Sequence, residues 1–449
     1  MAVTSTAAAT SRPAHRDPRV LAWLGAYTAS LIGDQIWFLA LSWTAVRGGD
    51  ATRTGLVLAA GSLPRVLLML PGGVIADRYG PRRVVIGSDL VRCAVMLVAA
   101  IAVSASSPAI WLLVAIALVF GAVDALFMPA VGALPVRLTT RTQLVRVQGM
   151  RALSQRVATV VSAPIGGAAL AWGDAESAFM LNAALFALSL ALLWRLRPGP
   201  VPEAEPGTEE PELGLRAGLR HVARHRVLRS LLIVTALMEA GFAIPMNIGI
   251  VLLADDTGWG PGGMGLVLGA WGIGAAIGAL GLTVAGRVPR PGLLLPVGML
   301  VMATSLVGLG YASGVGIAVV CAAVLGIATG VVGGSGNALV QTSCAPGALG
   351  RVTAIQMLVG VGLIPLLYPV GGLLASTHGP SAVFAAGGGA ILAGVLVAVV
   401  SGPFRRGPEP PDVKSGHGRI PVPQRSSDSE SSSWARSSGG FTRSGRLGT

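Results

Sequence analysis

The chain has 449 residues, 53% of them apolar and only 12% charged, against roughly 25% charged in a soluble domain, and its mean hydropathy is +0.70. That balance excludes an ordinary water-soluble globule. The formal net charge is +13, but no basic face with interleaved aromatics lies outside the C-terminal tail, so nucleic acid is not an expected partner.

Residues 1–19 are polar and lack the apolar core of a cleavable signal peptide. The first helix is therefore expected to serve as its own uncleaved insertion signal, with the mature chain starting at or near Met1. Apolar runs of about 18 residues or more mark membrane helices, because about 20 residues are needed to cross roughly 30 Å of hydrocarbon. Six such runs follow, near 20–46, 54–76, 84–104, 109–135, 148–171 and 177–194, and predict an N-terminal six-helix bundle over 20–197. Residues 198–212 are rich in Pro and Glu, and in Leu213–Arg229 apolar and Arg positions interleave. Together they read as a cytoplasmic linker, 198–229, ending in an amphipathic surface helix. Six more runs, near 230–253, 263–285, 292–313, 315–340, 352–375 and 380–402, predict a C-terminal bundle over 230–403. The tail, 404–449, is dense in Ser, Pro, Gly and Arg, with little to bury, and is expected to be a disordered cytoplasmic segment.

Charge placement predicts the orientation. With the N-terminus inside, the inner loops hold Arg78, Arg82, Arg83, Arg137, Arg141, Arg146, Arg287, Arg290 and Arg351, while the opposite face holds only Arg47 and Arg53. This is the positive-inside pattern. It places a multi-pass chain in the cell (inner) membrane with both termini cytoplasmic, its basic loops against anionic lipid headgroups. Cys93, Cys321 and Cys344 are odd in number and lack metal-ligand spacing, so they read as packing residues and no metal is expected.

A repeat runs through the chain at a constant separation of 205 residues. Gly121 meets Gly326, Ala133 and Leu134 meet Ala338 and Leu339, Leu144, Arg146 and Val147 meet Leu349, Arg351 and Val352, and Pro164, Gly166 and Gly167 meet Pro369, Gly371 and Gly372. A shared Arg and a shared Pro-x-Gly-Gly in one register point to a duplicated six-helix unit. Parallel repeats with a substrate site at the bilayer midplane between them are a transporter architecture.

Gly73-Val-Ile-Ala-Asp77-Arg78-Tyr79-Gly80-Pro81-Arg82-Arg83, between the second and third runs, resembles the signature loop of the major facilitator superfamily. It departs at Pro81, where a basic residue is usual. The second-half counterpart, Leu282-Thr-Val-Ala-Gly286-Arg287, is degenerate and lacks the acid. Ser30-Leu-Ile-Gly33-Asp34-Gln35, Ala40-Leu-Ser-Trp43, Leu63-Pro64, Pro164-Ile-Gly166-Gly167 and Gly218–Leu228 are similar to the branch containing the enterobactin exporter and macrolide-efflux-like proteins. The resemblance covers about 20–402. It implies an all-α membrane fold of twelve helices in two pseudo-symmetric bundles, with secondary active export of a small amphipathic molecule, such as a drug, antibiotic or siderophore-like metabolite, in exchange for protons. The chain is then expected to work by alternating access as a monomer without a cofactor. The resemblance also implies an inner gate at Gly73, Asp77, Arg78, Gly80, Arg82, Arg83 and Arg351, and a cavity lined by the first, fourth, seventh and tenth helices.

A carboxylate at the centre of a membrane helix costs about 2.5–3.5 kcal/mol on insertion scales, and so is a functional candidate. Asp34, Asp124 and Glu239 qualify, and Asp34 and Glu239 are equivalent in the repeat. Each is open to two readings, a proton carrier or an ion-pair lock between helices. Arg92, Arg151 and Arg156 are the partners available for a lock, with Gln155 one turn after Arg151. Arg156, near mid-membrane, is expected to pair with an acid, the alternative being contact with an anionic substrate. Asp89 and Arg92, at i,i+3, read as a local pair. Asn337 is a polar contact candidate, and Trp23, Trp37, Trp43, Phe127, Met128, Met238, Phe242 and Met246 are apolar ones, with packing the plainer role. Lys414 is the only lysine, which excludes a P-loop pump, and no nucleophile motif supports an enzyme. Uptake or facilitated diffusion of a metabolite, or a non-transporting receptor or scaffold, are the other readings.

Overall fold

The computed structural model describes residues 13–105, 109–139, 143–196, 226–285, 291–343 and 349–400. The interior of the linker, the C-terminal tail and Cys344 lie outside them. The described residues form twelve long helices and no strand. They are α1 (Pro18–Arg47), α2 (Ala51–Tyr79), α3 (Pro81–Ala105), α4 (Ile110–Ala133), α5 (144–172) and α6 (175–194), then α7 (Arg226–Ile244, continued through Pro245–Gly249 to Asp256), α8 (Gly260–Ala285), α9 (Pro291–Gly310), α10 (Val315–Ser343), α11 (Leu349–His378) and α12 (Pro380–Val400). α5 and α6 form one hydrogen-bonded stretch broken at Gly173 and Asp174, which leave helical geometry, Asp174 with φ 57°. Thr28, Ser30, Asp34 and Gln35 interrupt the apolar run of α1.

Short caps and turns set the helix ends. Asp17 and Asp50 accept the backbone N–H of Arg19 and Arg53 at 2.9 and 2.8 Å, each satisfying a free donor at a helix start. Gly80, at φ 85°, ends α2, and Pro81 opens α3. Gly379, at φ 83°, and Pro380 repeat the device between α11 and α12. Only glycine takes that conformation without strain, and proline suits the first helical position. The unusual Pro81 of the signature loop is thus the N-terminal residue of a helix.

Packing follows a two-fold plan. Within each half, α2 crosses α4 as α8 crosses α10, α3 packs on α6 as α9 packs on α12, and α3 meets α4 as α9 meets α10. The halves meet along α2 with α11 and α5 with α8, contacts that exchange under the repeat. The repeated glycines sit at equivalent crossings. A Cβ on Gly121 would collide with the Gly61 carbonyl of α2, and one on Gly326 with the Trp271 carbonyl of α8. Gly166 abuts Ile36 of α1, and Gly371 abuts Ile244 of α7. Gly167 faces across the halves to Gly265 and the Pro261 carbonyl of α8, at 2.8 Å from its Cβ position, while Gly372 faces the Ala51 carbonyl of α2 at 2.5 Å. The first glycine of Pro-x-Gly-Gly therefore packs its own half, and the second builds the seam between halves. Small residues permit such backbone approach where lipid offers no hydrophobic drive for association.

Both seams are tight at the end carrying the α1–α2 turn. There a Cβ on Gly55 would lie 2.6 Å from the Tyr368 carbonyl oxygen, and Thr52 Oγ1 lies 3.2 Å from Ser376 Oγ. Toward the opposite end, Gly149 in α5 and Gly281 in α8 have no neighbour among the described residues within 4 Å of their Cβ positions.

Candidate functional site

A cavity of about 420 Å³ lies between the halves, within the range of roughly 300–1,000 Å³ typical of small-molecule sites. Leu31, Trp37, Phe38, Leu41, Phe120 and Met128 make an apolar wall; Asp34, Gln35, Ser62, Arg65, Asp124 and Gln155 make a polar one. The C-terminal half contributes Asn247, Ile364 and Tyr368. Trp37 stacks on Phe120 at 4.5 Å between centroids, and Phe38 tilts against Tyr368 at 6.2 Å, both favourable aromatic geometries.

Behind the polar wall lies a charge network from four helices. Arg92 of α3 is wholly buried. It donates through Nη2 to Asp124 of α4, and its Nη1 lies 3.5 Å from Asp34 Oδ1 of α1 and 3.7 Å from Asp89 Oδ1 of its own helix. Arg65 of α2 completes the group, its Nε 2.9 Å from Asp124 Oδ2. The Arg92 guanidinium stands 4.0 Å over the ring centre of Phe127 and 5.4 Å from those of Phe120 and Phe186. Such a cation–π cage holds the charge in place, by about 2 kcal/mol where water is excluded.

The three carboxylates are not held alike. Asp124 bridges two guanidinium groups. Asp89 accepts from Ser189, and from Ser30 at 3.3 Å. Asp34 has only the 3.5 Å approach of Arg92, and its buried Oδ1 has no hydrogen-bond donor among the described residues. Among the described residues three carboxylates face two guanidinium groups, so the fully ionised network carries one surplus negative charge. Asp34 faces the cavity and is the least compensated of the three.

The Asp89–Arg92 pair forms, at 3.7 Å, and Arg92 engages α1 and α4 as well. Several expectations are corrected here. Arg156 does not take the ion pair expected of it. It is exposed on α5, with no carboxylate within 4.0 Å among the described residues, while Arg65 and Arg92 take Asp34 and Asp124. Arg151 instead lies 5.1 Å over Tyr27. Glu239 is half-buried on α7 outside the cavity lining, its Cγ 3.9 Å from the Cβ position of Gly360 on α11. Gly360 is the repeat equivalent of Gln155, so Glu239 faces the C-terminal counterpart of the Asp34 wall. Asn337 is exposed on α10 and does not line the cavity. Trp37 and Met128 line it, whereas Trp23 stacks on Tyr27 at 5.7 Å and Phe242 packs on Trp271 at 5.5 Å.

In the signature loop, Gly73 has open space around it, Asp77 and Arg78 are exposed, and Arg83 is exposed at the start of α3. Among the described residues Asp77 makes no ion pair within 4.0 Å. Arg82 donates at 2.9 Å to the Trp194 carbonyl, capping the end of α6. The Arg351 side chain lies outside the described residues. Arg65, Asn247 and Tyr368 were not anticipated. Arg65 carries the same signal as the acids, a charge inside an apolar run, beside Leu63-Pro64.

The chain matches the Major Facilitator Superfamily over residues 23–364. It is 27% identical over 394 residues to the multidrug efflux pump Tap of Mycolicibacterium fortuitum, covering 83% of this chain and 92% of that one. It is also 27% identical over 385 residues to the enterobactin exporter EntS of Citrobacter koseri, covering 82% and 86%. In fold it resembles a bacterial homolog of the human lysosomal transporter Spinster, with TM-score 0.66 and 15% identity over 88% of this chain and 96% of that one. It likewise resembles the nucleoside transporter NupG, with TM-score 0.66 and 15% identity over 87% and 99%. With its twelve helices, two-fold packing and central cavity, the chain belongs to the Major Facilitator Superfamily and is a multi-pass membrane transporter.

Proposed function

We propose that the chain is a proton-coupled exporter of small amphipathic molecules, with Asp34 as the residue that exchanges the proton. The observation that carries this reading is the excess of one carboxylate over the guanidinium groups in a buried network open to the cavity. A bound proton neutralises it; a bound substrate that donates to Asp34 or carries positive charge does the same. Proton and substrate therefore compete for one site, as exchange requires. The relatives named for efflux of drugs and export of enterobactin support the outward direction and the amphipathic class, as does a wall that is aromatic on one side and polar on the other.

The Arg-rich end of the bundle is the cytoplasmic one, on the positive-inside rule, and the membrane is the cell membrane. On that orientation the described state is closed toward the outside. Asp77, exposed here, would engage the inner end of α11 when the cavity turns outward. A proton moving down about 100 mV releases roughly 2.3 kcal/mol, enough for about a fifty-fold gradient of a neutral solute; no cofactor is needed. Everted membrane vesicles given a panel of dyes and antibiotics and an imposed pH gradient test the proposal. Accumulation that collapses when the gradient is dissipated is the expected result. Equilibration of every panel compound without dependence on pH would defeat it.

A further inference from the structure

The seam between α2 and α11 shares a residue with the cavity. The Tyr368 ring lines the cavity and tilts against Phe38 of α1, while its carbonyl oxygen lies against Gly55 of α2, 2.6 Å from where a Cβ would stand. The residue is only 3% exposed. A single residue of the C-terminal half thus meets the N-terminal half twice, once in the cavity and once at the closed end. One turn on, Gly372 meets the Ala51 carbonyl, and further on Ser376 meets Thr52.

α11 can bend at this place. Pro365 and Pro369 both lie inside the helix and flank Tyr368. Each lacks a backbone N–H, which frees the carbonyl four residues earlier and leaves the helix pliable across that span. Facing it, α2 is welded to α4 by the Gly61–Gly121 and Gly72–Ala125 approaches. α2 has prolines of its own, Pro64 and Pro71, but both lie beyond Gly61 from Gly55, so displacement of the Tyr368 ring is taken up by α11.

We propose that Tyr368 couples cavity occupancy to the outer gate: its ring reads the bound molecule, and its carbonyl, seated on Gly55, holds the α2–α11 seam shut until the ring is displaced. A planar ligand entering against Phe38 competes with the Tyr368 ring for that surface. As the ring yields, the segment between the two prolines bends and the carbonyl leaves Gly55. The Gly372 and Thr52–Ser376 contacts then lose their register, and the seam opens. Tyr368 is a positioning residue here, since it transmits the presence of substrate. The inference rests on the reading of this seam as the outer gate.

The test uses the full chain with Cys93, Cys321 and Cys344 replaced by Ala, carrying Thr52→Cys and Ser376→Cys, whose partners are 3.2 Å apart in the closed seam. Disulfide formation under copper phenanthroline reports the closed seam. Loss of transport on cross-linking, restored by reduction, verifies the gate reading itself, and unimpaired transport by the cross-linked chain would sink that reading independently. With ethidium at a concentration that saturates binding, the cross-linking rate should fall about tenfold, corresponding to a shift of about 1.4 kcal/mol between states. Tyr368→Phe keeps the ring and should keep this response. Tyr368→Leu should bind ethidium, as read by its fluorescence anisotropy, yet change its cross-linking rate less than about twofold, with kcat reduced more than KM. A full ethidium response in Tyr368→Leu, or a response lost equally in Tyr368→Phe, would overturn the proposal.

Discussion

The unequal support of the three acids predicts that neutralising Asp124 and neutralising Asp34 have opposite signatures. Asp124 gives Arg92 its one well-formed hydrogen bond and holds Arg65 at 2.9 Å. Asp124→Asn leaves the wholly buried Arg92 with Asp34 at 3.5 Å and Asp89 at 3.7 Å, neither well placed to accept. Removing one partner of a buried pair costs about 3–5 kcal/mol, because the other charge is left uncompensated. Asp34→Asn removes the surplus charge and leaves two carboxylates for two guanidinium groups. It forfeits no formed hydrogen bond, so its cost should be about 1 kcal/mol or less. Thermal unfolding of the detergent-purified proteins, followed by tryptophan fluorescence, separates the two. Asp124→Asn should unfold well below the parent and Asp34→Asn close to it. Arg65→Gln in the Asp124→Asn background should cost less than it does alone, because the pair is then removed together. Equal destabilisation by the two Asn changes, or a larger loss from Asp34→Asn, would refute the assignment of lock to Asp124 and proton site to Asp34.

Glu239→Gln should fold normally and keep gradient-driven accumulation in everted vesicles, since Glu239 has no basic residue within 4.0 Å among the described residues and lies outside the cavity lining; loss of pH dependence would return it to the proton path. Gly326→Ala should lower stability by about 1–3 kcal/mol through overpacking, because its Cβ meets the Trp271 carbonyl; an unchanged melting temperature would contradict that crossing. Asp77→Asn should leave insertion and melting unchanged, since Asp77 is exposed, but cut transport sharply in the vesicle assay. Gly80→Ala should cost about 1–2 kcal/mol, the strain of a left-handed backbone on a residue with a Cβ, given φ 85° there.

The helices were legible in the sequence because membrane solvation is written into long apolar runs, and the two-fold plan because Gly121, Pro164 and Gly167 recur at Gly326, Pro369 and Gly372. The chemistry of those glycines was not legible. Nothing in one sequence says that Gly166 faces its own half and Gly167 the other. Asp34 and Asp124 were found by the cost of a charge in hydrocarbon, but their partners depend on how α1 to α4 rotate about their axes. That is why Arg92 stands in the sequence as only one of three possible partners for the acids, and why Arg156, exposed on α5, reads there as paired. Tyr368 gave no signal at all, being one apolar-compatible residue between two prolines.

The central claim is that one proton and one substrate exclude each other at Asp34. Purified protein in weakly buffered detergent solution, mixed with the dye that everted vesicles accumulate fastest, allows released protons to be counted directly with a pH indicator. About one proton should be released per dye bound by the parent chain, and none by Asp34→Asn, although that variant still binds the dye. Release of the same number of protons by Asp34→Asn, or proton uptake on binding by the parent chain, would contradict it.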